Sequence, residues 1–104
     1  MDQESSASAM HRGSSVQARR VLYRGWVQGV GFRYTARRLA QSYQVTGFVR
    51  NLPDGQVELV VEGPKAEIES FLQAVQQAMS GYIRGSTVQP LEPTGRYASF
   101  EIVH

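Results

Sequence analysis

The residues best suited to chemistry lie in one glycine-rich stretch, Val27-Gln28-Gly29-Val30-Gly31-Phe32-Arg33. Gly29 and Gly31 allow the backbone to adopt positive φ and to approach a ligand without an intervening Cβ. Consecutive N–H groups in such a turn, at the start of a helix, form a concave site for an anion. The planar guanidinium of Arg33 matches two phosphate oxygens at once. The stretch therefore predicts a cradle for a phosphate-sized dianion.

Two glycines alone more often mark a tight turn, so the alternatives need to be weighed. The stretch is not a P-loop, because no Gly-Lys-Ser/Thr follows the glycines. It is not a dinucleotide fingerprint, because the third glycine and the later acidic residue are missing. By its position alone, Arg33 is equally well explained as a solvated residue of a first helical turn.

Two hydrophobic patterns flank this stretch. Residues 19–27 alternate apolar and polar side chains, which predicts a strand. From Phe32 the apolar period changes to 3.6, which predicts a helix that ends at about Tyr43. Within this helix we expect Arg37 and Arg38 to face solvent, as charged helix residues usually do.

The remaining chain predicts a hairpin, a second helix and two further strands. We expect strands at 45–51, 56–62, 82–88 and 96–103, and a helix that begins near Pro64 and ends before Ser80-Gly81. The turn Leu52-Pro53-Asp54-Gly55 joins the first two of these strands, and it accounts for Asp54. In the strand after it, Glu58 and Glu62 should point away from the core.

This order, β-α-β-β-α-β with one added strand, predicts an α+β fold. The expected architecture is a ferredoxin-like, split βαβ sandwich: a five-stranded, mainly antiparallel sheet with both helices on one face. The first two strands run parallel, so their carboxyl ends lie at the same edge and should bring Arg33 and Asn51 together. The amide of Asn51 could orient a water molecule, although asparagine is also common before hairpin turns.

Length and composition limit the class of protein. The 104 residues suffice for one small domain, which we place at 18–104 after a flexible Ser/Ala/Gln-rich tail at 1–17. The lack of cysteine excludes disulfides, thiolate metal sites and cysteine nucleophiles. No apolar run is long enough to span a bilayer and no secretory signal is recognisable. We therefore expect a cytoplasmic protein that does not bind membranes.

The charge is unevenly distributed. The net charge is +2, but the segment from Arg12 to Arg50 carries eight arginines, while the acidic residues of this half are Asp2 and Glu4. Such asymmetry suits an anionic ligand near the first strand and helix, and it would also suit a nucleic acid.

Two sequence blocks resemble the acylphosphatase family, whose members hydrolyse carboxyl-phosphate mixed anhydrides. The first is Val27 to Arg33. The second is Gly47-Phe48-Val49-Arg50-Asn51-Leu52-Pro53-Asp54-Gly55-Gln56-Val57-Glu58, which resembles the family's strand and Asp-Gly turn. The likeness covers roughly Arg20 to Val103. One departure is the segment after the second helix, where many relatives have a Gly-Pro-rich turn, so the path of residues 80–95 stays open.

The resemblance implies specific roles. Arg33 matches the family's phosphate-binding arginine and Asn51 its water-orienting asparagine. The implied phosphate-binding residues are Gln28, Gly29, Val30, Gly31, Phe32 and Arg33. The family is monomeric and uses no metal or other cofactor. The implied ligands are a small-molecule acyl phosphate as substrate and inorganic phosphate as product and inhibitor.

Two other functions fit parts of the sequence. An RNA-binding domain of the same fold would use the arginine-rich half, but of its aromatic strand signature only Gly47-Phe48-Val49 comes near. We therefore expect no nucleic-acid partner. The second alternative is a catalytically silent anion sensor with the same cradle, which an intact Arg33 and Asn51 oppose.

Overall fold

The hydrophobic periods of the sequence correspond to five strands and two helices. The computed structural model describes residues 16–104. The elements are β1 (Val16–Gly25), α1 (Phe32–Ala40), β2 (Thr46–Asn51), β3 (Val57–Pro64), α2 (Lys65–Ala78), β4 (Ile83–Leu91) and β5 (Phe100–Ile102). Within these residues, neither helix is long and apolar enough to cross a membrane.

The strands form a single sheet in the order β4-β1-β3-β2-β5. β3 lies at the centre and pairs antiparallel with both β1 and β2, β1 pairs antiparallel with β4, and β5 joins β2 in parallel. β1 and β2 therefore run in the same direction, with β3 between them. The predicted ferredoxin-like α+β fold is confirmed.

The core lies between the two helices and one face of the sheet. Side chains of α1 and α2, such as Phe32 and Phe71, pack against alternate residues of the central strands, including Leu59 of β3. Phe71 also packs edge-on against Phe100 of β5, with ring centroids 5.2 Å apart. The helices therefore hold even the short β5 against the rest of the domain.

The α-helical part of α1 ends at Ala40, three residues before the predicted end. The N–H groups of Gln41, Ser42 and Tyr43 donate to carbonyls three residues earlier, which is the tighter bonding of a 3₁₀ turn. Tyr43 still packs on Phe71, with a centroid separation of 6.0 Å. The apolar period of the sequence therefore extends to Tyr43, whose side chain packs against the core, although the α-helical hydrogen bonds end at Ala40.

The predicted boundary between tail and domain falls inside β1. Val16 pairs with Pro64 and Gln17 with Gly63, so β1 begins three residues before the strand that was predicted at 19–27. The rest of the predicted tail, residues 1–15, lies outside the described residues.

The last two strands differ from their predicted lengths. β4 continues to Leu91 and includes Pro90, which a strand at the edge of a sheet tolerates. β5 is shortened to Phe100–Ile102.

The glutamates of β3 face away from the helices as predicted, but they are buried rather than solvated. Glu58 accepts hydrogen bonds from Nε of Arg20 in β1 and Nε of Arg50 in β2, each at 2.5 Å. Glu62 accepts bonds from Thr94 and Gly95, in the loop that leads to β5. The alternating pattern did not predict this burial because β3 is the central strand. Arginine side chains of the two adjacent strands cover Glu58, and the loop before β5 covers Glu62.

The pKa of Glu58 is the net result of opposing effects. Burial acts to raise it, but the hydrogen bonds and charges of Arg20 and Arg50 outweigh burial and hold this pKa below its usual value. Because the pKa is lowered in the folded state, the stabilisation is complete above the ordinary glutamate pKa of about 4.3. It is lost as the pH falls through the folded-state value.

We predict that Glu58→Gln lowers the free energy of unfolding by about 1–2 kcal/mol at pH 7, because two arginines lose a charged acceptor. The difference from the native chain should shrink as the pH is lowered from 7 through the folded-state pKa, because the native carboxylate then takes up a proton. Urea unfolding over a series of pH values measures this. Glu69→Gln is the control: Glu69 is about half exposed and lies 3.7 Å from Arg19, so the change should be below about 0.5 kcal/mol. Equal effects of the two substitutions would contradict the prediction.

Candidate active site

The connection between β1 and α1 has the geometry of an anion cradle. Gly29 and Gly31 have φ of 78° and 79°, values that side-chain-bearing residues rarely adopt. Gly31 is the N-cap of α1, and the first helical hydrogen bond runs from Thr35 N to Gly31 O at 2.9 Å. The N–H groups of the first turn before Thr35 have no intrahelical acceptor, as at any helix start.

Gln28 fastens this connection to the neighbouring hairpin. Its Nε2 donates to the carbonyl oxygens of Leu52 and Gln56, each at 2.8 Å. Leu52 N in turn donates to Gln56 O at 2.8 Å, so all three residues form one bonded unit at the β2–β3 turn. The cradle is therefore held beside Asn51, the last residue of β2.

A cavity of about 480 Å³ opens at this edge of the sheet. Its walls contain Val27, Gly29, Gly31, Phe32, Arg33, Tyr34, Arg37, Asn51, Glu101, Ile102 and His104. The structure thus brings Arg33 and Asn51, eighteen positions apart in sequence, to one cavity.

The six residues predicted to bind phosphate are not equally placed. Gly29, Gly31, Phe32 and Arg33 line the cavity, whereas Gln28 and Val30 are not among its wall residues. The side-chain nitrogen of Gln28, Nε2, donates hydrogen bonds to the hairpin, and the Val30 side chain packs against the core. Their side chains therefore have other contacts, and a ligand in the cavity would meet these two residues through their backbone groups.

Asn51 is brought to the cavity by strand register. It pairs with Val57 of β3, and Val57 also pairs with Tyr23 of β1, so the ends of β1 and β2 lie level. Asn51 Oδ1 is buried and has no hydrogen-bond partner among residues 16–104. Since buried polar atoms are normally hydrogen-bonded, this oxygen suits a ligand or water that donates to it.

The structure adds three charged or titratable residues that the sequence analysis did not assign to the site. His104 Nδ1 lies 3.4 Å from a terminal nitrogen of Arg33. Arg37, expected to face solvent, lines the cavity and pairs through Nε with Glu101 Oε1 of β5 at 3.2 Å. The spacing of Arg37 four residues after Arg33 was the available signal, because residues so spaced share a helix face. Glu101 and His104 gave no such signal.

Of the three aromatic residues near the cradle in sequence, Tyr34 belongs to the cavity wall. Its side chain is 67% exposed, at the mouth of the site. Tyr23 is buried against Phe32, with ring centroids 4.9 Å apart. Trp26 is 74% exposed but is not part of the wall.

Asp54 is occupied by the turn, as its sequence context predicts. Its carboxylate accepts bonds from Gln56 N at 3.0 Å and Gln56 Nε2 at 2.8 Å. The backbone bond and then the side-chain bond lower the pKa of Asp54. Among the described residues, the acidic side chain in the cavity wall is that of Glu101.

Comparisons with known proteins agree with this architecture. The family model described as acylphosphatase matches residues 19–102. An acylphosphatase of Methanospirillum hungatei is 42% identical over 84 residues, which cover 79% of this chain and 91% of that protein. The crystal structure of acylphosphatase from Bacillus subtilis is 31% identical with a TM-score of 0.76, covering 85% of this chain and 99% of that one. An acylphosphatase structure from Coxiella burnetii has the same TM-score of 0.76 at 26% identity, covering 88% and 97%.

We predict that Gly31→Ala lowers the free energy of unfolding by about 1–2 kcal/mol, the cost of a left-handed conformation for a residue with Cβ. An added Cβ would contact nothing within 4 Å, so the cost is conformational rather than steric. Gly31→Asn should cost less, because asparagine tolerates this region better. Urea denaturation measures all variants.

Gly81→Ala is the matched control for this prediction. Gly81 also has no atom within 4 Å of an added Cβ, and it is not one of the glycines with positive φ. Its substitution should change stability by less than about 0.5 kcal/mol. If Gly31→Ala were as stable as the control, the φ constraint would be refuted.

Proposed function

This chain belongs to the acylphosphatase family, and we propose that it hydrolyses acyl phosphates through Arg33 and Asn51. The family match and the curated relatives support an enzyme that acts on the carboxyl-phosphate bond. The observation that carries the residue assignment is the shared cavity: Arg33, Asn51 and the two positive-φ glycines of the cradle line it together.

The phosphoryl group binds at the helix start. The N–H groups of the cradle and of the first turn of α1 donate to its oxygens, and the positive end of the helix dipole favours the dianion. Phe32 and Gly31 take part through their backbone. The fork of Arg33 holds two further oxygen positions and stabilises the charge that builds up on the equatorial oxygens during transfer.

Asn51 orients the attacking water. Its buried Oδ1, which has no partner among residues 16–104, accepts a hydrogen bond from the water. This leaves a lone pair of the water oxygen directed at phosphorus. The fixed end of β2 supports this role, because Gln28 joins the adjacent turn to the cradle that holds the phosphoryl group.

The reaction balances without a protein acid or base. The water oxygen forms a bond to phosphorus while the bond between phosphorus and the acyl oxygen breaks, and the bonding electron pair leaves with the carboxylate. One proton of the water moves to a phosphate oxygen of the substrate. An acyl phosphate dianion and water thus yield a carboxylate and dihydrogen phosphate, and the weakly basic leaving group needs no protonation.

The other expectations from the sequence are part of this proposal. The enzyme acts as a cytoplasmic monomer on a small-molecule acyl phosphate, without a metal or other cofactor. It has no nucleic-acid or membrane partner. Inorganic phosphate is its product and occupies the same cradle as an inhibitor.

We predict that Arg33→Ala lowers kcat/KM for benzoyl phosphate about 10³-fold, and that Asn51→Ala lowers kcat about 10²-fold or more with little change in KM. Hydrolysis is followed by ultraviolet absorbance with and without a chelator, and each variant is checked for folding by circular dichroism. Arg38→Gln, an exposed arginine of the same helix, should retain native activity. Absence of turnover by the folded native chain would instead favour the anion sensor.

Inhibition by inorganic phosphate should distinguish the proposed role of Arg33, which binds the phosphoryl group, from that of Asn51, which orients the water. We predict competitive inhibition, with an inhibition constant raised about tenfold by Arg33→Lys, since lysine loses one charge-assisted hydrogen bond of the fork. Asn51→Ala should leave this constant unchanged, because Asn51 contacts the water rather than the phosphate. The constants are obtained from initial rates at several phosphate concentrations. A larger effect of Asn51→Ala than of Arg33→Lys would contradict the assignment.

A further inference from the structure

A second arginine, Arg37, lines the cavity but has no role in the phosphoryl chemistry. It follows Arg33 by four residues in α1, so the two side chains share a helix face with Cβ atoms about 5–6 Å apart. Both belong to the cavity wall. Arg37 lies one helical turn farther from the cradle in the same cavity, so an acyl group that extends from the cradle along α1 would approach it.

Contacts from β5 and the segment before it orient Arg37. Glu101 Oε1 pairs with Arg37 Nε at 3.2 Å, and Ser99 Oγ donates to Glu101 Oε2 at 2.6 Å. The pair uses Nε, while the two terminal nitrogens carry the other four N–H groups of the guanidinium. Arg37 can therefore keep its contact with Glu101 and bind a further anion through these nitrogens.

The cavity has room for more than a phosphoryl group. Its volume of about 480 Å³ lies within the range of sites for whole small molecules. Arg37 and Glu101 also line a neighbouring cavity of about 300 Å³, so this ion pair stands between two open spaces. An acyl group that leaves the cradle along α1 reaches Arg37 before it reaches the second space.

We propose that Arg37 is a specificity-determining residue that binds a second negative charge on the acyl group. On this basis, and resting on the proposed function, the preferred substrates are acyl phosphates that carry an additional carboxylate or phosphate. The charged and titratable residues in the wall of this cavity are Arg33, Tyr34, Arg37, Glu101 and His104. Glu101 limits the preference, because its negative charge offsets that of the Arg37 guanidinium and repels a second negative charge on the substrate.

Two pairs of synthetic substrates test the charge preference directly. In each pair, 3- or 4-carboxybenzoyl phosphate is compared with the corresponding carbamoylbenzoyl phosphate, which has nearly the same size but no second charge. For the native chain we expect kcat/KM to be about fivefold higher for the carboxylate in at least one pair, mainly through a lower KM. Equal values in both pairs would overturn the inference.

Variants assign the preference to Arg37. In Arg37→Gln the ratio of the two kcat/KM values should fall to about one, and using the ratio cancels any general loss of activity. Arg38→Gln removes the same charge from the adjacent, exposed position, and its ratio should stay native. In Glu101→Gln the ratio should rise, because the negative charge that repels the substrate's second charge is gone. A native ratio in Arg37→Gln, or an equal fall in Arg38→Gln, would show that Arg37 does not determine the preference.

The outcomes distinguish this inference from the proposed function. Turnover of all four substrates without a charge preference would leave the proposed function intact and remove the role of Arg37. Failure of the folded native chain to hydrolyse any of them, or benzoyl phosphate itself, would remove both.

Discussion

Val57 pairs with Tyr23 on one side and with Asn51 on the other, and the candidate site depends on this double register. It sets the ends of β1 and β2 level, so that the connection leaving β1 and the turn leaving β2 meet at one edge of the sheet. Side chains alternate along a strand, so a slip of one residue would turn Asn51 to the opposite face. The central strand thus fixes the site, although Val57 itself is not part of the cavity wall.

Two sets of polar contacts hold this register, one on the open face of the sheet and one at its edge. On the open face, Glu58 joins Arg20 of β1 to Arg50, the residue before Asn51. At the edge, Gln28 joins the cradle to the β2–β3 turn. Both use buried or half-buried groups whose hydrogen bonds are costly to break. The cradle and Asn51 are therefore placed by the scaffold rather than by a flexible loop, which suits catalysis by positioning.

The distribution of charge in the cavity is consistent with the proposed chemistry. Arg33 lies at the helix start beside the cradle, and Arg37 lies one turn farther along, paired with Glu101. In the proposed reaction the first arginine holds the group that is transferred, and in our inference on specificity the second binds a charge on the group that leaves. If both proposals hold, one helix face contacts both ends of the substrate.

Local patterns in the sequence were sufficient to predict the strands, the helices and their order, which specifies the fold. This was possible because alternation and the 3.6 period follow directly from which faces of an element are buried. They also identified Arg33, Asn51 and the glycines as candidates, since positive φ and a guanidinium fork are properties of the residues themselves. The end of α1 at Ala40 and the length of β5 were not predictable, because tertiary packing rather than periodicity decides where each hydrogen-bond pattern stops.

Tertiary structure decided three features that local patterns did not predict. It buries Glu58 and Glu62, it lets Gln28 anchor the cradle to the hairpin, and it places Arg37, Glu101 and His104 at the cavity. Each depends on contacts between residues far apart in sequence, and β5 reaches the site only because it pairs with β2. The sequence by itself determined the residues capable of the chemistry, whereas the fold decided which of them share a cavity, since that depends on strand order and register.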